Sequence, residues 1–501
     1  MKKIITSSLM LILSSLVLYA QEVFKFSIVD GPKMLPQEAC QLPASGISDN
    51  GAYIWGTYSN ISFIYNRPTG KTVIEGDGER QMVQVKQVLG DGTTLLFSNY
   101  NGMLREADGK EIALHSPVDD NPMVNPKQIT NDKKIIVGNL ENAAFDQIPF
   151  YATRQQDDSY QMHLLASPKE DALGAKPQFI QAFFCSQDGK FIIGRLINSV
   201  GGGSLIVWKQ QTDGSYLYEL PLEHLFFNLN KEKPGPLPEW DDYVTAEEGT
   251  KEYAEQADAF DKAYDEWMEK KQAIVKNEQL NLVWFLSDAA EPTVYSEVAN
   301  DKNETYPILY NYVTGEYRPF KEAKGRIITN HLRDDSYLTV SENDWSFKAE
   351  VMKDNGKTIV AFEDWIKEKT GSDVSGFYQG NVGFTFLSAD GKTIVSQRRN
   401  LDSEGDLYHN AIIVADRSLL SGETAIDTVP EHETLSFRYD GQLVIAPAGS
   451  LLHIYDMQGT LVRSAIVPDA GHSNLAVCLP KGTYIIQGEH HGSKHQIKII
   501  K

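Results

Sequence analysis

The chain has 501 residues, of which 68 are acidic and 47 are lysine or arginine, so its formal net charge is −21 at pH 7. A surface this acidic repels phosphate at long range, which argues against nucleic acid or anionic lipid as a partner. The three cysteines, Cys40, Cys185 and Cys478, are too few and odd in number for a disulfide framework. Each is better explained as a small buried apolar side chain than as a nucleophile.

The first 20 residues have the three parts of a secretory signal peptide. Lys2 and Lys3 form a positive start, residues 4–19 are mostly apolar, and Ala20 supplies a small residue at the cleavage point. The apolar stretch is shorter than the roughly 20 residues that a membrane-spanning helix needs. We therefore predict cleavage after Ala20, export, and no membrane span after cleavage, with a retained membrane anchor as the alternative.

A short motif recurs along the chain: an apolar strand, a small polar residue, Asp-Gly or a relative, and a second apolar strand. Clear copies begin at Gly46, Val88, Ile129, Phe184 and Phe386, and weaker copies begin near Phe285 and His331. Asp-Gly between apolar runs is typical of a tight hairpin, because Asp and Gly tolerate positive φ. Ile47, Val88 and Ile129 are spaced 41 residues apart, and further short strands follow each hairpin. A period of about 40 to 50 residues with four strands is that of a β-propeller blade.

We therefore predict an all-β fold, with a β-propeller of six or seven blades over residues 21–416. Stacked sandwich domains are the alternative, but their units of about 100 residues are too long for this spacing. The hairpin Ser186-Gln-Asp-Gly-Lys190, followed by the strand of Trp208, resembles the HAF-type repeats of secreted bacterial propellers. Residues 362–371 are similar to the short helix that often follows such repeats, and the resemblance covers roughly 46–415.

One segment, about 234–279, interrupts the repeats and is predicted to be a helical insertion. Thr245-Ala-Glu-Glu248 has the pattern of a capping box, so the helix is expected to begin near Thr245. Aromatic residues then recur at helical spacing on one face: Tyr253, Phe260, Tyr264 and Trp267. We expect this stripe to pack on the side or rim of the propeller; the alternative is an interaction helix that binds a partner or a second copy.

The last part of the chain has a different strand pattern. Residues 417–434 are acidic and turn-rich and are expected to form a linker. Residues 435–501 carry short alternating strands separated by turns such as Asp440-Gly441 and Lys481-Gly482, and predict a small β-sandwich.

Three ordered motifs in this last module resemble the C-terminal sorting domain of type IX secretion cargo in Bacteroidetes. They are His453-Ile-Tyr-Asp-Met-Gln-Gly-Thr-Leu-Val462, Leu479-Pro-Lys-Gly-Thr-Tyr-Ile-Ile486 and the basic end Lys498-Ile-Ile-Lys501. The resemblance implies recognition by the secretion and sorting machinery, and a final place at the outer cell surface or outside the cell. The sorting-signal residues that it implies are Tyr455, Asp456, Gly459, Gly482, Tyr484, Lys498 and Lys501. An immunoglobulin-like packing module is the alternative, since sandwiches share strand patterns without sharing function.

No familiar catalytic signature is present in the sequence, neither a metalloprotease, serine hydrolase, phosphate-loop nor dinucleotide motif. We predict no metal and no cofactor, and no catalytic residue can be named. The favoured function is non-catalytic binding of an extracellular partner, glycan or peptide, at the top face or central channel of the propeller. A secreted propeller hydrolase acting on polysaccharide or peptide is the alternative, and it would require two acids converging in the channel.

Overall fold

The computed structural model describes residues 26–30, 44–58, 60–76, 82–118, 122–142, 146–288, 292–332, 335–343, 346–370, 382–400, 407–415, 418–419, 438–439, 444–445, 450–456, 461–467, 472–473, 479, 483–490 and 493–500. The chain divides into two compact units, Met1–Glu423 and Thr424–Lys501, and this boundary lies within the predicted linker 417–434. The predicted signal peptide, residues 1–20, lies outside the described residues.

The first unit is built from short strands. In chain order they are β1 (Phe26–Asp30), β2 (Gly46–Ile47), β3 (Tyr53–Tyr58), β4 (Ile61–Asn66), β5 (Lys71–Glu75), β6 (Val83–Val88), β7 (Thr94–Ser98), β8 (Asn101–Arg105), β9 (Glu111–Ala113), β10 (Met123–Ile129), β11 (Ile135–Glu141), β12 (Gln147–Arg154), β13 (Tyr160–Leu164), β14 (Phe179–Cys185), β15 (Phe191–Ile197), β16 (Gly203–Gln210), β17 (Tyr216–Glu219), β18 (Glu278–Asp288), β19 (Thr293–Asn300), β20 (Thr305–Asn311), β21 (Tyr317–Pro319), β22 (Arg326–Leu332), β23 (Ser336–Asn343), β24 (Ser346–Lys353), β25 (Thr358–Ala361), β26 (Val382–Leu387), β27 (Thr393–Asn400) and β28 (Leu407–Ala415).

These strands pair in chain order as antiparallel meanders. Strands β2–β5, β6–β9, β10–β13 and β22–β25 form four-stranded sheets, here sheets 1, 2, 3 and 6. Strands β14–β21 form an eight-stranded sheet whose two halves meet at the single pair Gly203 and Leu280 in the described chain. We name β14–β17 sheet 4 and β18–β21 sheet 5. The prediction of an all-β chain made of four-stranded units is confirmed, and the two weak copies of the motif also pair as β18 with β19 and β22 with β23.

Sheet 7 joins two distant parts of the chain. Its order is β1-β28-β27-β26, so its outer strand comes from the beginning of the chain. Phe26 pairs with Ala415 and Asp30 with Ala411, in antiparallel register. The outermost strand of the last sheet is therefore supplied by the segment that precedes the first sheet.

Consecutive sheets share hydrophobic cores, and the last sheet shares one with the first. Representative pairs, from the core between sheets 1 and 2 to the core between sheets 7 and 1, are Trp55 with Val85, Leu95 with Val124, Val137 with Ile192, Val207 with Val294, Tyr295 with Ile328, Val351 with Ile394, and Val395 with Ile54. Because each sheet buries both faces against neighbours, its middle strands are apolar in continuous runs rather than in alternation. This organisation is propeller-like, in agreement with the sequence prediction.

The Asp-Gly hairpins form as predicted, and the sheet-4 hairpin shows how. Asp188 Oδ1 accepts hydrogen bonds from the hydroxyl of Ser186 at 2.7 Å and from the backbone N–H of Lys190 at 3.1 Å. Gly189 has φ of 72°, a conformation that favours glycine. The hairpin aspartates are therefore explained by turn chemistry.

Helices are few in the described chain. They are Glu223–Phe226, Trp240–Tyr243, Lys251–Ile274, the 3-10 turn Asp354–Gly356, and Phe362–Thr370, which confirms the short helix expected at 362–371. The predicted start of the long helix near Thr245 is wrong. The helix begins at Lys251, where the side chain of Thr250 accepts a hydrogen bond from Tyr253 N–H at 3.1 Å, because Gly249 adopts φ of 86° and interrupts the helical path. None of the described helices combines the length and apolar character needed to cross a membrane.

The second unit is also made of strands. They are β29 (Arg438–Tyr439), β30 (Val444–Ile445), β31 (Leu451–Asp456), β32 (Leu461–Ile466), β33 (His472–Ser473), β34 (Thr483–His490) and β35 (Ser493–Ile500). They form a three-stranded sheet, β29-β30-β33, and a four-stranded sheet, β32-β31-β34-β35. The core of this unit contains Leu452, Ile454, Val467, Leu479, Tyr484, Ile486 and Ile499.

Candidate functional site

Strands β6, β10 and β14 begin sheets 2, 3 and 4, and each lies at one edge of its sheet. Each contains a β-bulge, one residue more than its partner strand, and the extra residues are Lys86, Lys127 and Phe183. A bulge breaks the regular alternation of a strand and redirects the side chain of the extra residue. The same feature of the repeat therefore presents two lysines and one phenylalanine at equivalent places in three consecutive edge strands.

The glutamines that follow the two lysines connect these edge strands. Gln87 Oε1 accepts the backbone N–H of Ile129 in β10 at 2.8 Å, and Gln128 Oε1 accepts that of Cys185 in β14 at 2.5 Å. Each bond lies next to a bulged residue. The lysines are thus held on strands whose relative positions are fixed by side-chain hydrogen bonds to the backbone.

Lys86 is half-buried on the edge strand β6 of sheet 2. Its Nζ donates to Gln84 Oε1 at 2.7 Å and lies 5.3 Å from the centroid of the Phe97 ring. Within the described part of the chain, neither Lys86 nor Lys127 has a carboxylate within ion-pairing distance. Burial, with a further contribution from the charge of Lys127, lowers the pKa of Lys86 to about 7.

Lys127 extends the positive charge toward sheet 4. Burial and then the charge of Arg195 lower the pKa of Lys127, while Glu141 acts in the opposite direction. The guanidinium of Arg195 donates through Nε to Gln181 Oε1 at 2.7 Å and lies 5.1 Å from the centroid of the Phe183 ring. Burial also lowers the pKa of Arg195. We call Lys86, Lys127 and Arg195 the cation cluster.

The cation cluster can bind an anion. The charge of Lys127 disfavours that of Lys86, the charge of Arg195 disfavours that of Lys127, and all three groups are partly removed from water. A negatively charged group placed among them would relieve both effects. Amide side chains and two aromatic rings surround the cations, which gives an organic ligand both hydrogen-bonding partners and flat apolar surface. The exposed acids of the chain do not cancel this local field, because charges more than about 8 Å apart across water are largely screened at physiological salt.

Two buried carboxylates elsewhere in the first unit, Asp171 and Glu350, have structural partners. Asp171 accepts backbone N–H groups of Leu173, Ala175 and Ser199 at 2.9, 3.1 and 2.7 Å. Glu350 is paired with Arg326 at 2.8 Å. Near the cation cluster, the acid that acts on Lys127 among described residues is Glu141, and its Oε2 accepts a hydrogen bond from Gln147. Among the described residues, one acid, Glu141, acts on the cation cluster, whereas the hydrolase alternative requires two converging acids.

The aromatic stripe of the predicted interaction helix is divided by the structure. Trp267 is 4% exposed and donates its indole N–H to the carbonyl of Gly235, within the same insertion, at 3.0 Å. Phe260 and Tyr264 are instead in ring contact with each other, and Phe260 and Tyr253 with Trp240 of the preceding short helix.

The described sorting-signal residues lie on neighbouring strands of the second unit. Asp456 pairs with Tyr484 and Tyr455 with Ile485, which in turn pairs with Lys498. Tyr484 is buried in the core of this unit. Gly459, Gly482 and Lys501 lie outside the described residues.

Of the cysteines, Cys185 is free and buried, as expected, and burial raises the pKa of its thiol to about 12. Cys40 and Cys478 lie outside the described residues. A thiol with this pKa is a poor nucleophile at neutral pH.

The cation cluster was missed by the sequence interpretation, although a signal for it exists. The pair Lys86-Gln87 recurs as Lys127-Gln128, 41 residues later, which is the spacing of the hairpin motif itself. Lysine at a repeat position on an edge strand appears as an ordinary exposed charge. Only the bulge and the neighbouring sheet show that both lysines are half-buried and close to each other.

No protein-family model matches the chain, and no curated protein matches it. Among solved structures, a puromycin-hydrolysing peptidase of Mycobacterium tuberculosis aligns at 10% identity and TM-score 0.42, over 89% of this chain and 58% of the peptidase. TolB from Acinetobacter baumannii aligns at 14% identity and TM-score 0.31, over 78% and 82% of the two chains. The WD40 domain of SCAP from fission yeast aligns at 10% identity and TM-score 0.34, over 79% and 88%. The chain thus spans little more than half of the peptidase, and similarity at this level says nothing about what it binds.

Proposed function

We propose that this protein is an exported, non-catalytic β-propeller that binds a carboxylate-bearing ligand, an acidic glycan or an acidic peptide, at the cation cluster. The observation that carries the proposal is the pair Lys86 and Lys127. They occupy equivalent bulges on the first strands of consecutive sheets, half-buried and, in the described chain, without a carboxylate within ion-pairing distance. Half-buried cations without an ion-pair partner lower the free energy of unfolding, so a bound ligand explains the presence of these two lysines better than the fold does.

The architecture that we propose is a closed propeller of seven blades, the sheets 1 to 7. Two observations support this count. Hydrophobic cores connect each sheet to the next and the last to the first, and β1 completes the last sheet with β28. In a closed ring the edge strands β6, β10 and β14 face the central channel, which places the cation cluster on the channel wall.

The export part of the proposal rests on the two terminal patterns. Residues 1–20 have a signal peptide pattern, and residues 435–501, which we propose to be a β-sandwich, resemble a type IX sorting domain. Expression with the last 67 residues deleted, followed by fractionation of the producing cell, tests this assignment. Export predicts that the intact protein reaches the surface or the medium and that the truncated one stays in the periplasm; equal distribution of both would contradict it.

The binding part is tested by isothermal titration of the chain from Gln21 to Lys501. The probes are a short oligogalacturonate and a short oligoglutamate, with a neutral oligoglucan as reference. We expect binding of at least one anionic probe, none of the neutral one, and roughly a tenfold loss for Lys86→Met and for Lys127→Met. Lys302→Met, which removes an exposed lysine from the turn between β19 and β20, is the matched control and should bind as wild type. Equal affinity of all four proteins would refute the assignment of the site, and the two anionic probes separate a glycan ligand from a peptide ligand.

A further inference from the structure

The helical insertion is firmly attached at one end. Ile274 is 1% exposed within the core between sheets 4 and 5, and its carbonyl accepts the N–H of Asn228 at 2.8 Å. Lys270 is paired with Glu232 at 2.6 Å. With the buried Trp267, these contacts fix the last two turns of helix Lys251–Ile274 to the body of the first unit.

The rest of the helix packs mainly against its own insertion. Trp240 contacts Phe260 with ring centroids 5.1 Å apart, and Tyr243 contacts the same ring at 5.9 Å. The result is a cluster of aromatic rings that remains open to solvent, with Trp240 39%, Tyr243 37% and Tyr264 39% exposed. We call Trp240, Tyr243, Tyr253, Phe260 and Tyr264 the aromatic surface. Exposed tryptophan and tyrosine grouped in one patch are typical of protein interfaces rather than of free surface.

The charge around the aromatic surface restricts what could cover it. Residues 239–266 contain eleven carboxylates and two lysines. Both lysines already have acidic partners one helical turn away, Lys251 with Glu255 at 3.0 Å and Lys262 with Glu266 at 4.0 Å. Asp241, Asp242 and Asp261, adjacent in sequence to the aromatic residues, are exposed.

A second copy of this chain would bring an identical acidic surface against this one, which like-charge repulsion opposes. A lysine- or arginine-rich segment has the opposite character. Its cations can form ion pairs with the acids and lie over the rings of Trp240 and Tyr264, where cation–π attraction is strongest for tryptophan. Apolar side chains between the cations would cover what remains of the ring surface.

We propose that the aromatic surface is a docking site for a basic, partly apolar protein segment. This site is separate from the cation cluster and does not depend on the ligand proposed there. The two regions bind partners of opposite charge, so each can be tested without the other.

The probe is a fluorescent peptide of alternating lysine and leucine, measured by anisotropy against the chain from Gln21 to Lys501 at about 0.15 M salt. A peptide with glutamate in place of lysine is the reference. The aromatic variant Trp240→Ser with Tyr264→Ser should bind the basic peptide at least roughly tenfold more weakly, as expected for aromatic residues at the centre of an interface. The control Tyr218→Ser removes an equally exposed aromatic residue from β17 and should change affinity less than twofold.

A second pair of variants removes charge without removing surface. Asp241→Asn with Asp261→Asn should weaken binding severalfold, whereas Glu316→Gln with Glu322→Gln, exposed acids of sheet 5 and the turn after it, should not. If circular dichroism shows that the aromatic variant is unfolded, the charge variants test the proposal in its place. Unchanged affinity in both test variants, or equal binding of the glutamate peptide, would overturn the proposal. A third outcome would also overturn it: sedimentation velocity that finds the wild type as a dimer and the aromatic variant as a monomer. The aromatic surface would then bind a second copy of the chain.

Discussion

The cation cluster lies at regular positions of the repeat, whereas the insertion interrupts the repeat. Lys86 and Lys127 occupy the same position in consecutive units, so the cluster is produced by the repeat itself. The aromatic surface occupies a segment where the repeat is interrupted between β17 and β18. The first region is basic, half-buried and held by rigid sheets, whereas the second is acidic, exposed and attached at one end. A repeat fold can therefore place distinctive side chains either at a regular position of the unit or in a segment inserted between units.

The largest difference between the two regions should be in stability. Trp208, at 0% exposure in sheet 4, donates its indole N–H to the carbonyl of Ala166 at 2.6 Å. We expect Trp208→Ala to lower the free energy of unfolding by about 3–5 kcal/mol. Trp240→Ala, which removes the same side chain from the exposed insertion, should lower it by less than about 1 kcal/mol. Urea denaturation measures both, and similar values would remove the distinction between rigid repeat and attached insertion.

The next effect concerns charge. Lys127→Glu should weaken binding of the anionic probe about a hundredfold, because it replaces an attraction with a repulsion next to Arg195. The same variant should bind the basic peptide as wild type does, since the insertion is untouched. Titration with both probes checks this pair of results, and loss of both affinities would indicate general misfolding rather than two independent sites.

pH should separate the regions as well. The pKa of Lys86 is about 7, depressed from the usual value for lysine by burial and by Lys127 on the adjacent strand, so the amine is charged below pH 7 and neutral above it. Anion binding should accordingly fall as pH rises, by roughly tenfold between pH 6 and 8.5. Binding of the basic peptide should stay constant over the same range, since exposed carboxylates and the peptide lysines keep their charges. A flat profile for the anionic probe would mean that Lys86 takes no part in binding.

The smallest effect is on the stability of the unliganded protein. In the unfolded chain Lys86 regains an ordinary lysine pKa of 10.5. Below pH 7 the amine is charged in both states, and burying this charge on folding lowers the free energy of unfolding. This destabilisation decreases as the pH rises toward 10.5. Lys86→Met should raise the melting temperature by roughly 1–2 °C at pH 6 and hardly at all at pH 10. Lys302→Met serves as the reference in differential scanning calorimetry. A stabilisation that is the same at both pH values would show that the gain comes from apolar packing alone.

Local chemistry explains which parts of this structure could be predicted. The hairpins could be predicted, because an Asp-Gly turn between apolar runs depends on a few adjacent residues. The hydrogen bonds of Asp188 to Ser186 and Lys190 show this. The start of the insertion helix was predicted at Thr245 instead of Thr250. Gly249 lies between these two threonines and adopts positive φ, which interrupts the helical path, so the helix is capped by Thr250.

The site could be predicted less well, because it depends on contacts between units. The Lys-Gln pair is visible at a spacing of 41 residues, but a bulge leaves no reliable mark in the sequence, and the charge of Lys127 acts on Lys86 from a different sheet. The pairing of β1 with β28 was equally hidden. The two strands are almost the whole first unit apart in the chain, and no local pattern encodes such a partner.

This pairing of β1 with β28 also sets an order of events during biosynthesis. A chain that leaves the ribosome or a membrane channel from its beginning presents Phe26–Asp30 long before Leu407–Ala415 exists to receive it. Earlier sheets can form as they emerge, each from contiguous residues, but the last one must wait for the end of the first unit. Pairing segments so far apart in the chain is also slower than forming contacts between neighbouring residues. The fold therefore has a built-in delay, during which its newest and oldest segments remain available to chaperones, translocation machinery or proteases.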